Sequence, residues 1–212
     1  MFIFLKENFN QLFIKIGEHI FISSVALILG IIVAVPLGIV ITKNKKISNV
    51  FIAVASIFQT IPSLALLSIM VPFIGIGTLP AIIALFIYSL LPILRNTTIG
   101  MNSVDLSLID AGKGMGMTRN EIIMKIQLPL SAPVIMAGIR LSAIYVVSWT
   151  TIASYIGAGG LGDFIFSGLN TFDTNSILLG TIPVTLIALL SDYLLGKIEK
   201  KVMPKTSSLQ EG

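Results

Sequence analysis

The sequence predicts an all-α polytopic membrane protein with five transmembrane helices, and three observations predict it. Hydrophobic residues make up 55% of the 212 positions and charged ones only 11%, with a mean hydropathy of +0.97, too apolar for a water-soluble domain of this length. The apolar residues gather into uncharged runs of roughly twenty, the length a helix needs to cross a bilayer. The cations stand between those runs and not on a stripe with interleaved aromatics, so the net charge of +4 reflects orientation in a membrane and excludes nucleic acid as a partner. Cysteine is absent, which rules out disulfide and thiol chemistry.

Residues 1–17 place Phe2, Leu5, Phe9, Leu12 and Ile16 at spacings of three and four, with Lys6, Asn10 and Lys15 off that line. The pattern reads as an amphipathic interfacial helix lying on the membrane surface, and periodicity serves equally for a water-side extension of the first span. Lys6, Glu7 and Lys15 interrupt the apolar residues and no small-residue cleavage site follows, so a cleavable signal peptide is not expected. The same charges argue against a sixth span. His19 has no metal-ligand neighbours at useful spacing and reads as an interfacial residue.

Residues 20–41 make the first span, kinked at Pro36, and Lys43, Lys45 and Lys46 follow as a basic turn. The second, 47–71, carries Gln59, Thr60, Pro62 and Ser63 near its middle; such groups are costly against lipid, so they line a water-filled path or mark a packing kink. Residues 72–80 (PFIGIGTLP) form a short outer loop, and 81–94 the third span, closed by Arg95. After a polar island comes the fourth span, 132–156, with Arg140 either snorkelling or neutralised within the bundle. Ser148, Trp149, Thr150, Thr151 and Ser154 make its far half the most polar patch on any span. Residues 157–170 are a glycine-rich loop that formally matches G-x-G-x-x-G at Gly157, Gly159 and Gly162, but a membrane span precedes it where a dinucleotide fold needs a strand. The fifth span, 176–196, is kinked near Pro183 and followed by Lys197, Lys200, Lys201 and Lys205; 204–212 read as a disordered tail. Five spans with the N-terminus outside and the C-terminus cytoplasmic put most of the cations on the inner side, as the positive-inside rule requires.

The island, 110–129, reads DAGKGMGMTRNEIIMKIQLP and falls between spans three and four, on the cytoplasmic side. Residues 105–115 form one short helix, broken at Gly114 and Gly116, where glycine permits a reversal. Thr118 and Glu121 make a capping box that starts a second helix carrying Ile122, Met124 and Ile126, which Pro129 ends. The result is a helix-turn-helix hairpin, 103–129, with Ala111, Gly112, Gly114 and Gly116 exposed for close approach by a partner.

Asp110, Ala111 and Gly112, then Gly116, Ile126, Leu128 and Pro129 resemble the EAA loop of membrane subunits in ATP-binding-cassette importers, E-A-A-x3-G-x9-I-x-L-P, with the spacing kept at every step. Asp110 stands for the family's glutamate and Gly112 for its second alanine. The runs QTIPSLALL from Gln59, LPILRNT from Leu91, PVIMAGIR from Pro133 and IGAGGLGD from Ile156 are similar to permeases for glycine betaine, carnitine and choline, which act in bacterial osmotic adaptation. The resemblance implies a methionine-importer-like permease fold in the cell membrane, an EAA hairpin seated in a cytoplasmic ATPase dimer, a second permease subunit, identical or related, and an extracellular or lipid-anchored solute-binding protein, separate because no binding domain follows the last span. No cofactor is expected on this chain, since it lacks a G-x-x-x-x-G-K-[ST] loop and ATP and Mg belong to the ATPase subunit. No catalytic or metal-ligating residue is expected either. Gln59, Thr60, Ser63, Trp149, Thr151 and Ser154 are expected to line the translocation path. The rival readings are an amino-acid importer of methionine type and a gradient-driven secondary transporter, which would show inverted repeats or mid-depth charges.

Overall fold

Proline placement decides where the predicted helices run on and where they break. The computed structural model describes residues 2–203, the side chains of 2–4 excepted, and its regular elements are all helical. The expected disordered tail, 204–212, lies outside the described residues.

Helix α1 (Phe2–Glu7) is short, and α2 (Phe9–Ile41) runs for 33 residues straight through Pro36. Residues 9–17 are therefore not a separate surface helix; they are the first turns of the first span. Part of their apolar face has partners in the bundle: Leu12 is buried with Leu161, Phe164 and Leu179, with Leu5 and Ile16 against them, while Phe9 is exposed. His19, expected at the interface, is fully buried, its Nε2 3.0 Å from the Val147 carbonyl.

Helix α3 (Lys45–Thr60) starts at Asn44, whose side chain accepts the Lys46 N–H at 2.9 Å. The second span, expected as one kinked helix, is broken. Pro62 cannot donate a backbone hydrogen bond and pushes Ile61 into an extended conformation (ψ 127°), so α4 (Ser63–Ile74) leaves at 92° to α3. The loop expected at 72–80 shrinks to Gly75–Gly77. Pro72 sits inside α4 and Pro80 in the first turn of α5 (Thr78–Asn102), where a missing N–H costs nothing. After α5 come α6 (Leu106–Gly114), α7 (Arg119–Ile122), a π-helical turn (Ile123–Gln127), α8 (Leu128–Ala153), a 3-10 turn (Ser154–Ile156), α9 (Gly162–Thr171) and α10 (Thr174–Val202). Helices α2, α5, α8 and α10 are each part of a segment long and apolar enough to span a membrane, and α3 with α4 makes a fifth span if the bent pair is one.

Helix α5 is the centre of the bundle, packed between α2 and α8, with α10 on the other side of α8 and against α9. Ala26, Gly30, Ala34 and Gly38 recur every four residues on the buried face of α2, which brings its backbone close to α5. A Cβ added to Gly38 would lie 2.6 Å from the Thr97 methyl carbon, and one on Gly138 of α8 would lie 2.9 Å from the Pro92 carbonyl of α5. Helices α2 and α5 run in one direction and α8 in the other. One end of the bundle therefore carries the hairpin between α5 and α8, and the opposite end carries the glycine-rich loop after α8.

Candidate coupling hairpin and translocation path

The hairpin is built from three local devices. Asp105 caps α6, its Oδ1 accepting the Ser107 N–H at 2.8 Å. At the other end Gly116 adopts φ +78°, the Gly116 N–H donates to the Lys113 carbonyl at 2.9 Å, and the Met117 N–H to the Gly112 carbonyl at 3.0 Å. These two bonds are a Schellman motif, which turns the chain sharply and satisfies the last carbonyls of α6. The predicted capping box then starts α7. The Thr118 hydroxyl oxygen accepts the Glu121 N–H, the Glu121 carboxylate accepts the Thr118 N–H at 2.9 Å, and Lys125 pairs with the same carboxylate at 2.9 Å. The Thr118 N–H, foremost, and the Lys125 ammonium hold the Glu121 carboxyl at about 2, far below its usual range.

Two expectations for the hairpin are corrected. Gly112 is not exposed for a partner; it is buried inside the hairpin, where an added Cβ would lie 2.8 Å from Ile126 Cδ1 and 3.4 Å from Ile122 Cγ1. The motif's second small residue and its isoleucine are thus a contact pair that closes the hairpin. Pro129 does not end the second helix either. Its ring would clash with the Lys125 carbonyl four residues back, and the wider π turn over Ile123–Gln127 opens the helix there and lets it continue into α8. Residues 119–156 consequently form one helical segment. Leu128 packs against the core cluster of Ala34, Leu91 and Ile139, rooting the hairpin in the bundle, while Pro129 is exposed. Asp110, Ala111, Gly114 and Gly116 remain exposed, with Asp110 paired to Lys113 at 2.8 Å, and Leu106 and Met115 stand out beside them at 72% and 74% exposure.

The expected path residues separate into two groups. Gln59, Thr60 and Ser63 flank the break between α3 and α4. Gln59 Nε2 donates to the Tyr88 carbonyl at 3.0 Å and the Tyr88 hydroxyl donates to the Ile61 carbonyl at 2.8 Å, so α5 satisfies the break from the side. The Thr60 hydroxyl is spent locally on the Ile57 carbonyl, and Ser63 is half-buried at the start of α4. Trp149 joins this group through its ring contact with Tyr88, centroids 4.6 Å apart. Thr151 and Ser154 do not. Two residues beyond Trp149 is about 200° around the helix; Ser154 is buried, its hydroxyl donates to the Thr151 carbonyl at 2.8 Å, and both lie where α9 approaches through Gly162.

Three further groups have partners that the sequence does not reveal, although Arg140 itself stands out there as a charge at depth. Tyr88 and Tyr145 flank Trp149. Arg140 is neutralised within the bundle: its guanidinium pairs with both carboxylate oxygens of Asp192 and, at 3.4 Å, with Glu199, tying α8 to α10. At the far end, Lys15 bridges Glu18 (2.8 Å) and Asp163 (2.7 Å), and Glu18 accepts the Gly160 N–H at 2.8 Å, fastening α2 to the glycine-rich loop.

Comparison with known proteins agrees with this architecture. A model of the binding-protein-dependent transport system inner membrane component matches residues 21–204. The carnitine transport permease protein OpuCB of Listeria monocytogenes is 57% identical over 95% of this chain and 93% of its own length. The glycine betaine/carnitine/choline transport system permease protein OpuCB of Bacillus subtilis is 51% identical over 97% and 94%. Among solved structures, an inward-facing MetNI methionine ABC transporter superposes with a TM-score of 0.83 at 22% identity, covering 92% of this chain and 97% of that one, a likeness of fold. A hairpin rooted in an all-helical bundle and a family match over most of the chain lead to one conclusion: this protein belongs to the inner membrane components of binding-protein-dependent transport systems, the permease subunits of ATP-binding-cassette importers.

Proposed function

We propose that this chain is one half of the membrane path of an ATP-driven importer of quaternary ammonium compatible solutes such as glycine betaine, carnitine or choline. The N-terminus is outside and the hairpin cytoplasmic, a side favoured by Lys43, Lys45, Lys46, Lys197, Lys200 and Lys201 at the hairpin end of their helices. A separate ATPase dimer binds ATP and Mg, a second permease completes the path, and a solute-binding protein docks at the glycine-loop end. This chain carries out no chemistry of its own. The solute class rests on relatives at 51–57% identity that are named for it, whereas the methionine transporter offers fold likeness alone and gives no ground for the amino-acid reading.

The observation that carries the mechanism is the continuity of α7, the π turn and α8. The ATPase grips the exposed face of α6 at Asp110, Ala111 and Gly114 and the turn at Gly116. The Schellman turn, the capping box and the Gly112–Ile126 contact make the hairpin rigid enough to move as a piece. Because Ile126, Leu128 and Pro129 lie on an unbroken helix, that displacement passes to a lever of 38 residues, about 57 Å at 1.5 Å per residue. Its far half holds Trp149 and leads to the loop that Glu18 fastens. The test is uptake of labelled glycine betaine, carnitine or choline into proteoliposomes holding the assembled importer. Uptake is expected only with ATP, the ATPase and the binding protein together; uptake by this chain alone along an ion gradient overturns the reading.

A further inference from the structure

Three aromatic rings in contact, one pair tilted and one stacked, run from the interior of the bundle to its surface. Tyr88 of α5 is buried (2% exposed) and fixed by its hydroxyl to the Ile61 carbonyl. Trp149 of α8 is half-buried against it, at 4.6 Å and 55°. Tyr145, one helical turn back on α8, stacks on Trp149 at 5.4 Å and 26° and is 38% exposed. An aromatic ring carries its negative charge on its faces, and a cation settles over an uncovered face when it is too bulky and weakly hydrated to prefer water.

The surroundings favour a passing cation over a bound one. No aspartate or glutamate occurs between Glu18 and Asp105, nor between Glu121 and Asp163, so α5 and the part of α8 that bear the stack supply no carboxylate. Among the described residues, Lys197 lies over a ring, that of Tyr193, and no lysine or arginine covers the three rings of the stack. A ring wall without a counter-charge holds a quaternary ammonium by cation–π attraction alone, weakly enough to release it, as a path must. The stack also adjoins the break between α3 and α4, through the Tyr88 hydroxyl, where Gln59 and Thr60 supply polar groups.

We propose that Tyr145, backed by Trp149 and Tyr88, is a membrane-embedded transit site for the quaternary ammonium head of the solute. The proposal rests on the importer reading for its solute class. Trp149 is the sole tryptophan of the chain, so its fluorescence reports on the stack directly. The full-length chain in lipid nanodiscs is titrated with tetramethylammonium chloride, with sodium chloride at equal ionic strength, and with tert-butanol as a neutral body of similar shape. A saturable change in Trp149 emission is expected with tetramethylammonium alone. Tyr145→Phe keeps it, and Tyr145→Leu, at an exposed position that tolerates the change, weakens it about tenfold, equivalent to about 1.4 kcal/mol. An equal response to tert-butanol, or one unaffected by Tyr145→Leu, overturns the site. ATP-driven uptake by the wild-type importer is measured in parallel. Uptake without the emission change sinks the transit site and leaves the importer reading standing; the emission change without uptake of any quaternary ammonium solute does the reverse.

Discussion

Gly116→Val is the perturbation that most directly tests the hairpin as the coupling element. Gly116 has φ +78° and no atom within 4 Å of where a Cβ would stand, so the substitution collides with nothing and acts through the backbone alone. A non-glycine residue in the left-handed region costs roughly 1–2 kcal/mol, and a β-branched one more. That is enough to lower the population of the closed turn about 5- to 30-fold, and with it the two hydrogen bonds that Gly116 and Met117 donate to Lys113 and Gly112. Gly17 is the control. It is helical in α2, outside the hairpin and equally unencumbered, so Gly17→Ala is neutral or gains up to about 1 kcal/mol. In proteoliposomes holding the complete importer, Gly116→Val is expected to retain membrane insertion and ATP hydrolysis while solute moved per ATP falls several-fold, and Gly17→Ala is expected to match wild type. Hydrogen exchange at Gly116 and Met117 should rise in the first variant only. Normal uptake per ATP together with raised exchange at these amides would show that turn geometry is irrelevant to coupling and would refute the reasoning.

Four other outcomes are expected. Gly112→Leu drives a side chain into Ile126 and should uncouple transport, and Ile126→Ala in the same chain should restore part of it; additive losses in the transport assay would deny the contact. Thr118→Ala removes the cap of α7 and should cost about 1 kcal/mol of local stability, read by hydrogen exchange of residues 119–122. Because the Glu121 carboxyl is lowered to about 2, its part of the box is complete above the ordinary carboxylate range and is lost as pH falls through about 2, so hairpin exchange protection, corrected for intrinsic rates, should not change between pH 8 and 5. Arg140→Gln and Asp192→Asn should each lower the melting temperature, and the double variant should lie above the sum of the two losses, since removing one partner strands the other's charge; strictly additive losses would mean the pair is not coupled.

How much of this protein was legible in its sequence depends on the range of the interaction involved. Bilayer thickness and the need to satisfy every backbone group inside it fix the length of an apolar run, so the four long spanning segments, and the apolar stretch that becomes α3 and α4, follow from composition along the chain. The capping box joins residues three apart, and the left-handed turn asks for a glycine at one position; both were readable at Thr118, Glu121 and Gly116 because nothing distant enters into them. Proline resisted the same reading. Pro62 breaks its span, while Pro36, Pro129 and Pro183 lie inside helical segments that continue. A lost backbone bond is tolerated where a neighbour or a π turn absorbs it, and only the packed structure shows whether one is present.

Pairings between helices were beyond the sequence altogether. Arg140 was identifiable as a charge at depth, yet its partners stand 52 and 59 residues away, and Glu18 meets Gly160 across 142. Polarity alone placed Trp149, Thr151 and Ser154 together, but helical rotation sends them to different neighbours, and the rings that flank Trp149 come from one turn back and from another helix. The sequence by itself determined which stretches are apolar and long enough to cross and where its hairpin turns, since those answers are local free energies summed along the chain. The tertiary structure decided which face of each helix meets which, and so which residues share a site, because that is settled by close packing among helices far apart in the chain.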